Sequence, residues 1–186
     1  EIEKIFSNFY FGGDPNGNIQ EWKGFIKNEP LLVSNDFFKD LSQQGYLVGF
    51  VSGAEPPSAK FVLQNRLGLV NPPLIAMGDA PDKPDPSGLL QLAKNLVGRP
   101  LGLGVPPIAY LGDTVADVLT IQQARKKIPN QTFLSLAVAP PHLHKDEHRI
   151  SRLKYEKALR ESGAEIILKE TTDLLKITNL LETRNQ

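Results

Sequence analysis

The stretch IAYLGDTVAD, residues 108–117, decides the fold class that we predict for this chain. Its apolar start is typical of a strand, and the glycine after it allows a tight turn. Thr114 then opens a predicted helix, with Asp113 and Asp117 on one face because they are four positions apart. A strand that passes directly into a helix is the repeating unit of a parallel α/β sheet.

Strands and helices alternate in the same way along most of the chain. Because helices separate successive strands, we predict an α/β fold, a Rossmann-like three-layer sandwich with a mostly parallel sheet and helices on both faces. The predicted strands are 46–52, 73–77, 108–111, 133–139 and 166–168, and the predicted helices are 34–45, 57–67, 85–96, 114–127, 147–162 and 172–181.

Residues 1–29 differ from the rest, since six aromatic side chains crowd into them. We expect a helix end, a turn-rich loop and an aromatic segment that packs on the main domain, residues 30–186. The stretch DPNGN, residues 14–18, begins like a calcium loop, but its glycine is misplaced and Phe25 occupies the position of the bidentate glutamate. A turn is therefore favoured over a calcium site.

Composition excludes several classes of function. The 21 basic and 21 acidic residues cancel, which gives no reason to expect a nucleic-acid partner or an anionic membrane surface. Cysteine is absent, so disulfides, thiol catalysis and cysteine-based zinc sites are excluded, and a reducing, cytoplasmic location is expected. No apolar run approaches the ~20 residues of a membrane span.

Polar residues follow three of the predicted strands. Ser52 and Gly53 end the first, Lys83 follows the second in the stretch DKPDP, and Asp113 and Asp117 follow the third. Since the carboxyl ends of parallel strands meet at one rim of a sheet, we expect these residues to act together. A hydroxyl group, an ammonium group and two carboxylates suit a site for phosphate and magnesium.

Each of these residues also has a structural alternative. Ser52 can hold a phosphoryl oxygen or cap a turn. Lys83 can neutralise phosphate or lie solvated in a loop, and the prolines around it favour a fixed position. Asp113 and Asp117 can bind magnesium or simply favour the positive end of a helix dipole.

Together the three segments resemble motifs two, three and four of the haloacid dehalogenase (HAD) superfamily, in the subfamily I group with a helical cap inserted early in the chain. The resemblance covers residue 30 to about residue 170 and implies that residues 1–29 are a remnant of the cap and its linker. It implies an enzyme that hydrolyses a small phosphorylated metabolite through an aspartyl-phosphate with Mg²⁺.

The resemblance also assigns roles to the site residues. Ser52 and Lys83 are the implied catalytic residues, and together with Gly53 they are implied to bind the phosphoryl group. Asp113 and Asp117 are the implied metal site.

The first motif of that superfamily, an Asp-x-Asp after an apolar strand, is absent between Glu1 and Gln186. The resemblance assigns the nucleophile and the acid/base to this motif, on a strand in the middle of the sheet. We therefore expect another segment, either upstream of this sequence or on a second chain, to supply that strand to a core domain that lacks it. The alternative is a non-catalytic phosphate-binding or scaffold protein with the same fold.

Two weaker signals point elsewhere. A nucleotide-binding oxidoreductase has the same fold class, but the glycines of LGLG, residues 101–104, precede a strand rather than follow one. His142, His144 and His148 could bind a metal, but no pattern of carboxylates accompanies them. A surface loop is the favoured interpretation of the three histidines.

Overall fold

Helices and parallel strands alternate over residues 2–177, which are the residues that the computed structural model describes. The expected α/β fold is thereby confirmed. The chain divides into two compact units, Glu1–Gly78 and Asp79–Gln186. The assignment of residues 1–29 as a cap remnant stays a prediction.

The first unit contains three helices and a short parallel pair of strands. The strands pair Phe50 with Leu74 and Val51 with Ile75. Its helices are α1 (Ile2–Tyr10), α2 (Asn35–Gln43) and α3 (Pro56–Lys60), which continues as π-helix over Phe61–Arg66, its strands are β1 (Phe50–Val51) and β2 (Leu74–Ile75), and 3₁₀ turns span Ile19–Glu21 and Phe25–Lys27.

The strand predicted over 46–52 is much shorter in the structure. Backbone bonds run from Phe50 N to the Pro73 carbonyl and from Ser52 N to the Ile75 carbonyl, both at 2.8–2.9 Å. The residues before Leu74 in the partner segment are Pro72 and Pro73, which have no N–H to donate to a ladder. The pairing is therefore limited to two residues on each side.

Aromatic side chains form the core of the first unit. Trp22 and Ile26 are almost completely buried, with 1% and 0% exposure, beside Phe11 and Phe61. The ring centroid of Trp22 lies 4.7 Å from that of Phe11 and 5.3 Å from that of Phe61. The indole N–H of Trp22 donates to the carbonyl of Asp14 at 2.9 Å, so this polar group is satisfied inside the core.

The second unit contains a longer parallel sheet with the order β3–β4–β5. The central strand β4 is buried at all six positions, as expected where helices cover both faces. Its strands are β3 (Ile108–Gly112), β4 (Phe133–Val138) and β5 (Ile166–Leu168), its helices are α4 (Ser87–Val97), α5 (Val115–Lys127) and α6 (Arg149–Glu161), and 3₁₀ turns span Pro141–His144, Asp146–His148 and Thr171–Asp173.

The helices of the second unit lie close to their predicted positions. Gly98 ends α4 in the left-handed conformation, as predicted from its position after the apolar face. Val118 of α5 and Leu159 of α6 pack with Ala137 of β4. Residues 174–177 are helical, whereas the remainder of the predicted helix 172–181 lies outside the described residues.

The described strands form two separate ladders, β1–β2 and β3–β4–β5. Among residues 2–177, β3 pairs only with β4. Four of the five residues of β3 are half-buried and Ala109 is exposed, in contrast to the fully buried β4. One edge of β3 therefore has no strand beside it in this part of the chain.

Candidate active site

The turn between β3 and α5 is built by local hydrogen bonds. Thr114 caps α5, since its side chain accepts from the backbone N–H of Asp117 at 3.2 Å and Asp117 accepts from the backbone N–H of Thr114 at 3.0 Å. Gly112 is required here, because an added Cβ would lie 2.3 Å from the Cβ of Asp117. The sequence GDTVAD thus folds so that Asp117 turns back towards the end of β3.

Asp117 is buried, with 3% exposure, and five donors surround its carboxylate. Oδ2 accepts from the backbone N–H groups of Asp113 and Thr114 and from the hydroxyl group of Thr114, at 3.2, 3.0 and 2.6 Å. Oδ1 accepts from Lys83 Nζ at 2.6 Å and from the Tyr110 hydroxyl group at 3.0 Å. Asp117 is therefore a saturated acceptor that joins the loop, the lysine and the strand.

Hydrogen bonds determine the charge of Asp117. Its burial opposes ionisation, but the hydrogen bonds and charge of Lys83, together with the bonds from Thr114, outweigh it and hold the pKa of Asp117 below its usual value. Asp117 is therefore a carboxylate at neutral pH, in a salt bridge with Lys83.

Lys83 reaches this carboxylate from a short, stiff loop. Its side chain is 25% exposed and ends 2.6 Å from Asp117. The loop is closed by a bond from the backbone N–H of Asp85 to the carbonyl of Asp82, and the Asp85 carboxylate accepts from the backbone N–H of Ser87. The ammonium group is thus held against Asp117, and the catalytic role of Lys83 stays a prediction.

Asp113 differs from Asp117 in both its exposure and the direction of its pKa shift. Its side chain is exposed. Partial loss of hydration, and then the charge of Asp117, raise the pKa of Asp113, while Lys83 and His142 act in the other direction. The Tyr155 hydroxyl group on α6 donates to its backbone carbonyl at 2.8 Å and so anchors this residue. Asp113 is an accessible carboxylate whose negative charge a nearby cation would stabilise.

The predicted site residues fall into two groups. Lys83, Asp113 and Asp117 are gathered at the carboxyl end of β3, in the second unit. Ser52 and Gly53 follow β1 in the first unit, where the Ser52 hydroxyl oxygen accepts from the backbone N–H of Ala54 at 3.0 Å. That bond is the turn geometry weighed as the structural alternative for Ser52, and the phosphate-binding role of Ser52 and Gly53 stays a prediction.

Two tyrosines of the site were missed by sequence reasoning. Tyr110 lies in an apolar strand, and a buried tyrosine hydroxyl group usually needs a hydrogen-bond partner, so this signal was present three residues before Asp113. Burial, and then the charge of Asp117, raise the pKa of Tyr110, which keeps it a donor. Tyr155 comes 42 residues after Asp113 in a charged helix, and nothing in the sequence connects the two.

The histidine-containing segment forms 3₁₀ turns after β4. The ring of His144 hydrogen-bonds to the carbonyl of Ala139 at 2.7 Å. The ring nitrogen Nε2 of His148 lies 3.5 Å from the carboxylate oxygen Oε1 of Glu147. Over residues 2–177 there is no cluster of three or more histidine, aspartate or glutamate side chains that could hold a metal ion. A metal at the end of β3 would therefore need ligands beyond these side chains, such as waters and the substrate.

Comparison with solved structures supports the fold. A phosphonoacetaldehyde hydrolase-like protein from Oleispira antarctica superposes with a TM-score of 0.66 at 18% identity, over 86% of this chain and 60% of that protein. A phosphatase from Thermococcus thioreducens superposes with a TM-score of 0.53 at 23% identity, over 86% of this chain and 57% of that protein. This chain thus spans less than two thirds of either protein. No curated protein sequence matches it.

Comparison with family models identifies the lineage. The model described as haloacid dehalogenase-like hydrolase matches residues 22–125, which is more than half of the chain and includes Ser52, Lys83, Asp113 and Asp117. The superfamily that the motifs resemble is thereby confirmed, while the subfamily stays a prediction. The chain belongs to the family of haloacid dehalogenase-like hydrolases.

Proposed function

We propose that this chain is the body of a magnesium-dependent phosphomonoester hydrolase that acts through an aspartyl-phosphate. The observation that carries the proposal is the cluster at the end of β3. There Lys83 Nζ lies 2.6 Å from the buried carboxylate of Asp117, and the exposed Asp113 donates its backbone N–H to the same carboxylate. A fixed ammonium group beside an accessible carboxylate suits a phosphoryl group and its cation.

The two aspartates take different parts in this proposal. All of the hydrogen-bonding directions of Asp117 are engaged, so it holds Lys83 and the loop in place. Asp113 is the carboxylate that remains accessible to Mg²⁺, with Asp117 orienting it through its backbone N–H. Mg²⁺ prefers oxygen ligands and accepts one or two carboxylates plus waters and phosphate oxygens, which fits this donor set. When bound, it neutralises charge on the phosphoryl oxygens.

The remaining residues would bind the phosphoryl group. Lys83 would stabilise the charge that develops on its oxygens, and the Ser52 hydroxyl group with the backbone at Gly53 would donate hydrogen bonds to it. In the mechanism that the family implies, a carboxylate oxygen attacks phosphorus, the alcohol leaves with a proton from a neighbouring acid, and water hydrolyses the acyl phosphate. The attacking carboxylate belongs to an Asp-x-Asp that residues 1–186 do not contain.

The uncovered edge of β3 supports a strand supplied from outside these residues. β3 pairs on one side only among the described strands, and its residues are more exposed than those of β4. Each backbone group that is buried without a partner costs about 1–3 kcal/mol, so a parallel strand at this edge would be stabilising. An upstream segment of the same protein or a second chain could provide it.

The expected substrate is a small phosphorylated metabolite, as the family resemblance implies, and the balanced charge gives no reason to expect a nucleic-acid partner. Among the described residues, no helix has the length and apolar character needed to cross a membrane. A cytoplasmic location is proposed from the absence of cysteine.

The test uses protein purified from its natural source. Its intact mass under denaturing conditions is compared with the 20.5 kDa of residues 1–186, and hydrolysis of p-nitrophenyl phosphate is measured with Mg²⁺. The proposal predicts a longer species, or a second polypeptide, that carries an Asp-x-Asp segment and turns over the substrate. A single 20.5 kDa species that binds phosphate without turnover would favour the scaffold alternative instead.

Substitutions in the complete, active protein then test the site. Asp113→Asn and Lys83→Ala are expected to abolish most of the turnover, since each removes a charge beside the phosphoryl group. Lys39→Ala is the matched control, because Lys39 also pairs with an aspartate, Asp36 at 2.8 Å, but on an exposed helix surface. Unchanged turnover in Asp113→Asn and Lys83→Ala would contradict the proposal.

A further inference from the structure

Tyr110 connects the middle of β3 to the buried carboxylate of the site. Its hydroxyl group donates to Asp117 Oδ1 at 3.0 Å, and its side chain is half-buried. Tyr110 pairs with Ser135, which is 1% exposed, at the third of the five β3–β4 ladder pairs, so its backbone lies in the middle of a continuous ladder. The hydroxyl group is therefore presented from a rigid element.

The same oxygen of Asp117 also accepts from the lysine of the site. Lys83 Nζ lies 2.6 Å from Oδ1, so the phenol and the ammonium group converge on one atom. The other oxygen, Oδ2, is held by donors of the turn at Asp113 and Thr114. Among the described residues, Tyr110 is therefore the only residue of β3 that donates a hydrogen bond to this carboxylate.

The two donors on Oδ1 differ in how firmly they are held. Lys83 extends from a loop on a flexible four-carbon side chain, whereas Tyr110 extends from a paired strand on a rigid ring. Without the phenol, Oδ1 keeps only the lysine as a donor, and the orientation of the carboxylate then depends on its Oδ2 donors. The hydroxyl group of Tyr110 is therefore the contact that holds Oδ1 from the side of the sheet.

We propose that Tyr110 is a positioning residue, whose hydroxyl group fixes Asp117 Oδ1 and thereby holds the Lys83 ammonium group where it meets the phosphoryl group. This role rests on the proposed function of the site, because it requires Lys83 to contact phosphate. It assigns no contact between Tyr110 and the substrate.

The chain offers a matched control for a purely structural role. Tyr10 in the first unit also donates from its hydroxyl group to a carboxylate, Glu29 Oε2, at 3.1 Å. Burial, followed by the charge of Glu29, raises the pKa of Tyr10 to about 12. Tyr110→Phe and Tyr10→Phe each delete one hydroxyl group that bonds to a carboxylate, and only the first deletion is in the candidate site.

The first measurement needs no ligand. The ¹⁵N signal of the Lys83 ammonium group is recorded by NMR in the wild-type chain and in both variants, and thermal unfolding is measured alongside. We expect the Lys83 signal to shift or broaden in Tyr110→Phe and to be unchanged in Tyr10→Phe. A Lys83 signal that is identical in Tyr110→Phe and wild type would overturn the positioning role, whatever the unfolding temperatures are.

The second measurement titrates the three proteins with inorganic phosphate in the presence of millimolar Mg²⁺. Tyr110→Phe is expected to lose about 10-fold in phosphate affinity, while Tyr10→Phe loses none. The value is the lower end of the loss that follows when a residue that orients a ligand-binding side chain is replaced. Equal affinity of Tyr110→Phe and wild type would overturn the role of Tyr110 alone. A wild-type chain that binds no phosphate would overturn the proposed function, and a shifted Lys83 signal in Tyr110→Phe would then identify the contact as structural.

Discussion

The residues that follow β3 and β1 were predicted to lie at one rim and to act together, yet the two strand ends, here the β3 rim and the β1 rim, are built very differently. At β3, five ladder pairs, a capping box and a buried salt bridge fix the functional side chains. At β1, two ladder pairs support Ser52, and a Cβ added to Gly53 would meet nothing within 4 Å. The contrast teaches that Lys83 and Asp117 are positioned by partners within their own unit, whereas the Ser52 hydroxyl group bonds to the backbone N–H of Ala54 in its own turn.

The largest effect is expected from Asp117→Asn. This change leaves Lys83 beside a neutral amide, and breaking a mostly buried ion pair costs about 3–5 kcal/mol of unfolding free energy. Urea denaturation followed by circular dichroism measures it. Asp36→Asn, which removes an exposed pair with Lys39, is the control and should change little. Similar small losses in both variants would show that the Lys83–Asp117 pair does not brace the β3 rim.

The pH dependence of that loss sharpens the same comparison. The pKa of Asp117 is lowered on folding, so its ionised form stabilises the folded chain above the unfolded value of about 3.9. That stability is lost as the pH falls through the folded pKa. The gap in unfolding free energy between wild type and Asp117→Asn should therefore be widest near pH 7 and shrink below about pH 4. A gap that is constant from neutral to acidic pH would show that packing, rather than charge, causes it.

A smaller effect is expected from Ser52→Ala at the β1 rim. It removes one bond to the backbone N–H of Ala54, which is worth about 1 kcal/mol, and urea denaturation again measures the change. Ser42→Ala in the last turn of α2 is the control for loss of a serine outside the site. A loss as large as that of Asp117→Asn would mean that the β1 rim is braced as strongly as the β3 rim.

The smallest effect on stability is expected from Asp113→Asn, and its sign is opposite. The pKa of Asp113 is raised on folding, so ionised Asp113 disfavours the folded chain at neutral pH. Its replacement by a neutral amide should leave the unfolding free energy at pH 7 unchanged or slightly higher, as measured by urea denaturation. A marked destabilisation would indicate that the Asp113 carboxylate, like that of Asp117, holds the fold together.

The sequence predicted the second unit better than the first. Alternating apolar runs, the Thr114 cap and Gly98 predicted the strands and helices of residues 87–168 to within two residues at every end. The apolar run over 46–52 misled, because pairing also depends on the partner strand, where Pro72 and Pro73 stop the ladder.

The candidate site was predictable only in part, for a related reason. The spacing of Asp113 and Asp117 identifies a motif, but the opposite charge states of the two carboxylates arise from donors that lie far apart in sequence. Lys83 comes 34 positions before Asp117, and Tyr155 comes 42 positions after Asp113. Such contacts follow from tertiary packing, which no local pattern contains.

Binding of Mg²⁺ and phosphate by the wild-type chain and by Asp113→Asn tests the central claim most directly. NMR signals of the backbone amides of Asp113 and Thr114 are followed during titration with Mg²⁺ and inorganic phosphate. The account predicts that phosphate shifts these signals only when Mg²⁺ is present, and that Asp113→Asn loses the response while remaining folded. Phosphate binding that is indifferent to Mg²⁺ and to the substitution, or no binding at all, would contradict the account.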